Sequence, residues 1–525
     1  MSSRSVDRQV GIRAKFMRES PSRAISVYFA VLLTAGVLYV ISCAPGALWQ
    51  DSGLIQYRVW HGNVQGFRGL ALSHPLYYIL AIGAKHLPFG EFGHRVNLLS
   101  TAAGAIAVAN LYLLVRLWLG RNFPALVAAI TLAVSHTFWR HASIAETYTL
   151  WTALFLGELV VLLQYSRTRR VGYLYALGLL NGSAVAVHML GCISLGCYLV
   201  VLVVLLARKA VRARDAGLMT LLWIVGSLPF TYLVARQMIV SGDVAGTLAS
   251  AAFGDRWRAD VLNVSVSGRM LKENCLYFIL NCPTPNVVLF FAGCAALLKM
   301  TATRLLRNVV GALMVLFFAF AFRYTVSDRY AFFIPFYALA SAVIGLGASV
   351  VQQRVRHRAL PGVVVGLALL PVAVYAVVPR LAARTDLAIG TRADLIYRDD
   401  YRFFLQPWKT GYRGAERYAF EVLGTVAKDA IIYADTTTVA PLLYAQEIKG
   451  KRPDVKIITG IIRSQGAPPC TEKAFATCID SRPVYVTSDR PGYAPAFVLG
   501  KHELLKSGLL WTVVGPSAAS QIPDR

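Results

Sequence analysis

Apolar runs long enough to cross a bilayer alternate with short polar breaks through most of the chain. The first run covers 24–43. Others follow near 96–117, 123–139, 147–165, 171–188, 189–207, 217–239, 276–299, 308–323, 330–350 and 360–378. Roughly 20 apolar residues suffice for one helical crossing. Basic clusters punctuate the runs: Arg116 with Arg121, Arg167 with Arg169 and Arg170, Arg208 to Arg214, Lys299 to Arg307, and Arg354 to Arg358. Placing every cluster on the cytoplasmic side requires two spans between clusters, and the runs supply them each time. The pattern predicts an α-helical polytopic membrane protein of about eleven transmembrane helices, N-terminus inside.

Residues 1–23 are polar and basic and form a cytoplasmic tail ahead of a transmembrane region, 24–378. A cleaved signal ending at Val40-Ile41-Ser42-Cys43 is the rival reading of the first run. The long basic segment before it and the many spans behind it favour an uncleaved span. Two external loops stand out, 44–95 and 240–275. The first is aromatic and apolar, and predicts short interfacial helices over Asp51–Trp60 and Leu76–Leu87. Pro75 suits a first helical position, with Ser73 or His74 capping it. The second is long enough for a lid or a substrate-binding loop. From about 379 the pattern changes. Strand-like runs at 430–435, 455–458 and 483–487 flank a helical stretch at 436–449. They predict a small α/β domain over 379–525, on the outer side if the span count is odd.

Composition changes this picture little. The chain has 525 residues, 15% of them charged, and a mean hydropathy of +0.53, far from a soluble domain. The net charge of +26 sits in the loop clusters, and no nucleic-acid module accompanies it, so no nucleic-acid partner is expected. The eight cysteines form no CxxC pair, which argues against a zinc or iron–sulfur site. Cys470 and Cys478 fall in the outer polar segment, as a disulfide or as free thiols.

The candidate chemistry gathers on the outer face. Asp51 lies just beyond the first span. A carboxylate above a bilayer suits a general base, and an N-terminal cap of a helix starting at Ser52 is the alternative. Glu146, at the outer end of another run, is a second acid or a first-turn residue favoured by the helix dipole. His74, Arg140, His141 and His188 share this face, without metal-ligand spacing. Arg329, in Asp328-Arg329-Tyr330, suits a phosphate or forms a local ion pair with Asp328. Glu158 is the most plainly intramembrane acid, an ion site in a transporter reading and otherwise the partner of a neighbouring helix. The second reading is favoured, because the chain lacks a transporter's paired broken segments and internal symmetry.

These motifs, in this order, resemble a known family. Pro45-Gly46 to Asp51-Ser52-Gly53, Ser73-His74-Pro75-Leu76-Tyr77, Arg95 to Ser100, Phe138-Trp139, Ala145-Glu146-Thr147-Tyr148 and Asn181-Gly182 to His188 resemble the bacterial branch of the GT-C glycosyltransferases. These are relatives of the plexin O-mannosyltransferase. The resemblance returns at Asp328-Arg329-Tyr330, at Ala434 to Thr438 and at Gly450 to Val455. It implies a GT-C fold, a catalytic acid in the first loop (Asp51), a histidine before proline (His74), a later acid (Glu146), and an inverting transfer from a polyprenyl-phosphate sugar. The acid pair of many GT-C first loops is missing, since Ser52-Gly53 follows Asp51. Pro75 is followed by Leu76 rather than glycine.

The expected function is therefore transfer of a monosaccharide from polyprenyl phosphate to a protein hydroxyl or an envelope glycan or lipid, at the outer face of a bacterial inner membrane. The expected catalytic residues are Asp51, Glu146 and His74. Arg329 and Arg140 are expected to hold the donor phosphate, and Tyr148, His188 and His141 to line the pocket. No cofactor is required, and a divalent metal is not favoured. A transporter or flippase with an ion site at Glu158, and an assembly factor acting through the outer domain, are the competing readings.

Overall fold

A computed structural model of the protein describes residues 21–385, 392, 395–399, 401–460, 473, 475, 479 and 482–516. Seven helices are long and apolar enough to cross a membrane, or nine if two bent pairs each count as one span. The bent pairs are Asn122–Ala133 with His136–Ala142, at 69°, and Gly268–Asn281 with Pro285–Lys299, at 110°. The runs at 171–188 and 189–207 are the helices Gly172–Val187 and Gly191–Ala207, with 16 and 17 residues. At 1.5 Å per residue they fall short of a full apolar crossing. The expected eleven crossings thus resolve into seven full-length helices, two broken ones and one short pair.

Position in the bundle follows composition. The helix over Ala24–Ser42 has 11% of its apolar stretch buried and turns Phe29, Leu33 and Ile41 outward. Arg329–Arg354 has 78% buried, so it is central. Helices Gly172–Val187 and Ala213–Ser241 touch backbone to backbone, because a Cβ on Gly182 would stand 2.1 Å from the Trp223 carbonyl. Small residues at such crossings are how helices pack closely in lipid. Glu158, fully buried, is satisfied nearby: the Asn181 amide and the Tyr198 hydroxyl donate to it at 3.2 and 2.9 Å. Trp223 in turn donates to the Asn181 carbonyl at 3.0 Å.

The C-terminal part carries a five-stranded sheet: β1 (Ile431–Tyr433), β2 (Lys456–Ile458), β3 (Val484–Val486), β4 (His502–Ser507) and β5 (Leu510–Pro516). The order is β2-β1-β3-β5-β4, with β1 parallel to β2 and β3, and β5 antiparallel to β3 and β4. The first three strands are those read from the sequence; the β4–β5 hairpin was not anticipated. The helix expected over 436–449 is split into Val439–Leu443 and a wider turn, Tyr444–Ile448. Cys470 and Cys478 lie outside the described residues.

This domain is fastened to the first loop. Trp49, buried, donates its indole N–H to the Tyr412 hydroxyl at 2.7 Å and packs on Tyr418. The backbone N–H of Gln50 reaches the Thr437 carbonyl, and Lys409 N–H reaches the Ser42 carbonyl at 2.7 Å. The helix Gln50–Trp60 presses so closely that a Cβ on Gly53 would meet the Leu48 carbonyl at 2.1 Å and Ala440 Cβ at 2.9 Å. Both neighbours are held in place, so relief requires the helix to move. Gly53→Ala is expected to destabilise the protein by about 1–3 kcal/mol. Thermal unfolding of the detergent-purified protein, followed by size-exclusion fluorescence, measures it.

Candidate active site

The first loop is built around one amide. Gln56, fully buried, accepts from Leu48 N–H at 3.2 Å. Its own NH2 group is within 3.0 Å of the Gly46 carbonyl, 3.0 Å of Asn97 Oδ1 and 3.3 Å of the Gly93 carbonyl. Asn97 Nδ2 and His94 Nδ1 both donate to the Ala44 carbonyl, at 3.0 and 3.1 Å. The 44–48 turn is thereby tied both to the helix that follows it and to the long helix Phe92–Leu119. Its backbone groups are paired without regular structure, as burial demands.

That anchoring aims Asp51 into a cavity of about 1570 Å³ at one end of the bundle. Asp51 lies in the first turn of Gln50–Trp60, whose N-cap is Trp49. It is therefore not the cap residue that the sequence offered as an alternative. Its half-exposed carboxylate accepts from Arg68 Nη1 at 2.7 Å. Glu146 lines the same cavity. Ser52 Oγ donates to its Oε1 at 3.0 Å, while Ser100 Oγ lies 2.9 Å from its backbone N–H. Burial, and next to it the charge of Asp51, push the Glu146 carboxyl up to about 8, so it holds a proton at neutral pH.

Seven of the eight expected site residues line this cavity: Asp51, His74, Arg140, His141, Glu146, Tyr148 and His188. His74 adopts a left-handed backbone (φ 51°) just before Pro75, as the N-cap of Pro75–Ala84. Its Nδ1 donates to the Val187 carbonyl at 2.8 Å, which leaves the Nε2 lone pair free in the neutral ring. The ring stacks on His188 with centroids 4.9 Å apart, and His188 meets Tyr148 at 5.1 Å. His188 accepts the Leu190 N–H on Nδ1. His141 donates Nδ1 to the Thr137 carbonyl and packs edge-on against Tyr148. These three rings are fixed by neighbours rather than arranged around an ion. Among the described residues no three His, Cys, Asp or Glu side chains form a metal-binding group.

Arg329 is the exception. It is buried away from the cavity, where Glu273 pairs with it and Asn274 Oδ1 accepts from its Nε at 3.1 Å. The short 3₁₀ turn Arg329–Phe333 sends Arg329 one way while Tyr330 and Phe332 line the cavity. The local pair with Asp328 does not form either. Arg140 is placed differently. It is buried at the cavity wall, donates Nη1 to the Tyr330 hydroxyl at 2.8 Å and faces the rings of Phe403 and Phe404. Its Nε has no hydrogen-bond partner, and among the described residues no carboxylate pairs with it.

Four cations of the lining were missed as site residues: Arg58, Arg68, Arg256 and Lys456. Arg58, 6% exposed, donates to the Val64 and Ser73 carbonyls at 2.8 and 3.0 Å and lies 3.6 Å over the Tyr78 ring. It is seven residues after Asp51 on the same helix, two turns on and so on the same face, a spacing visible in the sequence. Arg68 comes from irregular chain, where no periodicity announces it. The far wall comes from elsewhere: Ala252, Phe253 and Asp255–Trp257, and Phe403, Thr436 and Lys456–Gly460 of the C-terminal domain. The first group stands at and just past the end of the helix Val244–Phe253. Its segment reads as a loop from the sequence but also holds the helix Arg258–Leu262 and the start of Gly268–Asn281.

Comparisons with known proteins agree on the architecture. Apo ArnT from Cupriavidus metallidurans superposes with a TM-score of 0.60 at 14% identity, over 97% of this chain and 100% of that one. The structure of ArnT from the same organism bound to undecaprenyl phosphate gives 0.58 at 13% identity, over 94% and 98%. No curated protein sequence matches the chain. The chain thus has the GT-C fold, the architecture of membrane glycosyltransferases. Within that class, its residues 73–212 match the protein O-mannosyl-transferase TMEM260 N-terminal domain, the family to which the sequence motifs pointed.

Glu146 also sets a pH dependence. A carboxyl raised from its ordinary 4.5 to about 8 binds its proton more tightly in the folded state. The unfolded chain then holds fewer protons between those values, so stability falls as pH rises through that window. Unfolding temperatures of the wild type measured from pH 5 to 9 are expected to drop more steeply than those of Glu146→Gln, which has no proton to lose.

Proposed function

We propose that the protein transfers a monosaccharide from a polyprenyl-phosphate donor to a hydroxyl acceptor, of a protein or of an envelope glycan or lipid. The reaction takes place at the outer face of a bacterial inner membrane. The observation that carries this reading is the presence, in one cavity at the end of an apolar bundle, of an accessible carboxylate and a buried guanidinium that no carboxylate pairs with among the described residues. The volume exceeds that of a usual single-ligand pocket and leaves room for donor and acceptor together.

In this reading Asp51 takes the proton of the acceptor hydroxyl as its oxygen attacks the anomeric carbon. The bond from that carbon to the phosphate oxygen breaks on the opposite face, with inversion. The leaving phosphate gains negative charge, and Arg140 faces that charge with an unused N–H. Arg140 takes over the phosphate role that Arg329 is too deeply paired to fill. Arg58 adds a second fixed positive charge, whose field is strong because the group is desolvated. Neutral Glu146 donates or accepts a hydrogen bond to orient the acceptor, and Ser52 holds its carboxyl in place. His74 and His188 shape the wall between them.

Asp51→Asn is expected to reduce transfer from a radiolabelled polyprenyl-phosphate sugar by about 10²–10⁴-fold while the protein still purifies as a monodisperse species. Wild-type turnover by that variant would remove Asp51 as the base. Arg140→Ala is expected to weaken donor binding about tenfold or more, the order of one charge-assisted hydrogen bond. Titration with undecaprenyl phosphate in nanodiscs reads this out, and an unchanged affinity would rule Arg140 out as the phosphate anchor.

A further inference from the structure

Asp328 has no role in the reaction so far. It stands between the helix Arg304–Arg323 and the turn Arg329–Phe333, half-buried, and lines the cavity. Its sequence neighbour Arg329 is committed to Glu273 and Asn274, so the obvious partner is withdrawn. No ion pair forms at Asp328 among the described residues. Asp51, Arg68 and Arg140 lie within its electrostatic reach, and burial together with the charge of Asp51 pushes its carboxyl up to about 6. A carboxylate kept this way, charged at neutral pH and unpaired, is costly unless a ligand completes it.

Its surroundings indicate which ligand. Tyr148, Tyr324 and Tyr330 line the same cavity as Asp328, and Tyr330 stands two residues after it in the adjoining turn. Phe332 joins them, 4.6 Å from Tyr324 and 5.7 Å from Tyr148 between ring centroids, both edge-on. An acceptor-only carboxylate beside aromatic faces is the chemistry that suits a sugar ring. Two adjacent hydroxyls donate to the two carboxylate oxygens, while the ring's C–H face lies on an aromatic side chain. The charge of Asp328 would repel a carboxylate on the sugar itself.

Resting on the transferase reading, we infer that Asp328 and the surrounding Tyr148–Tyr324–Phe332 rings form the subsite for the donor sugar, which takes a neutral hexose by its vicinal hydroxyls and rejects a uronate. Asp328 is then a substrate-contacting specificity residue, separate from the base Asp51 and the phosphate anchor Arg140.

The test uses full-length protein in nanodiscs and compares three lipids: undecaprenyl phosphate, its mannosyl form and its glucuronyl form. Wild type is expected to bind the mannosyl lipid about tenfold or more tighter than the bare phosphate lipid, and to gain nothing from glucuronate. Asp328→Asn, isosteric and checked for an unchanged unfolding temperature, is expected to lose the mannosyl increment and keep the affinity for bare lipid. Asp328→Glu is expected to restore part of the increment. Equal mannosyl increments in wild type and Asp328→Asn, or a preference for the glucuronyl lipid, would overturn the subsite. The readout is binding, so it stands apart from turnover. A sugar increment that depends on Asp328, in a protein that transfers no sugar, would support the subsite and sink the transferase reading alone.

Discussion

The amide of Gln56 is the constraint on which the functional end of the molecule depends. A loop leaving an apolar helix arrives with unpaired backbone groups, and burying them unpaired costs about 1–3 kcal/mol each. Gln56 settles this at 46–48 with a single side chain, and Asn97 and His94 do the same at Ala44. The turn becomes rigid without being regular. The helix that follows is therefore set at a fixed angle to the bundle, and Asp51 in its first turn points at the cavity rather than along the membrane surface. Trp49 and Gly53 fasten the other side of the same helix to the C-terminal domain.

From that fixed helix the charge pattern of the cavity follows. Each ionisable group is made different from its chemical sibling by its partners. Asp51 has a guanidinium, Glu146 a hydroxyl and Asp328 no ion partner among the described residues. Arg329 and Arg140 diverge in the same way, the first consumed by a carboxylate and the second left with aromatic neighbours. Residue types alone do not set these roles; the pairing does.

Much of this was legible in the chain. The apolar runs located most helices of the bundle, because in lipid a helix must satisfy its own backbone and its side chains must be apolar. The helix Gly268–Asn281 begins inside what reads as the 240–275 loop. The breaks within two spans were not legible, since hydropathy records length and polarity but not direction. Asp51, His74, Glu146 and His188, which the motif order set on one face, line one cavity in the structure. Arg329 was misjudged because its partner Glu273 lies 56 residues away and is joined to it only by tertiary packing. Arg68 was invisible because irregular chain carries no period. The strand at 456–458, though read from the sequence, gave no sign that it borders the cavity, a contact made only by tertiary packing. The Glu158 network shows the opposite. An intramembrane acid that a transporter reading would use as an ion site is instead bonded to the neighbouring-helix residues Asn181 and Tyr198, which leaves that reading without its one support.

The cavity has walls of two origins. One is cut into the helix bundle, where Arg140, His141 and His188 are buried between packed neighbours. The other is the margin of a sheet, where β2 is an edge strand among those described and its residues, with Thr459 and Gly460 just beyond it, line the cavity. Changes on the bundle side disturb membrane packing, whereas changes at 456–460 disturb the separate apolar clusters of the sheet domain on which Ile457 and Ile458 pack. The two walls can therefore diverge at different rates over evolutionary time. One chemical apparatus can be kept while the shape of the entrance is rewritten.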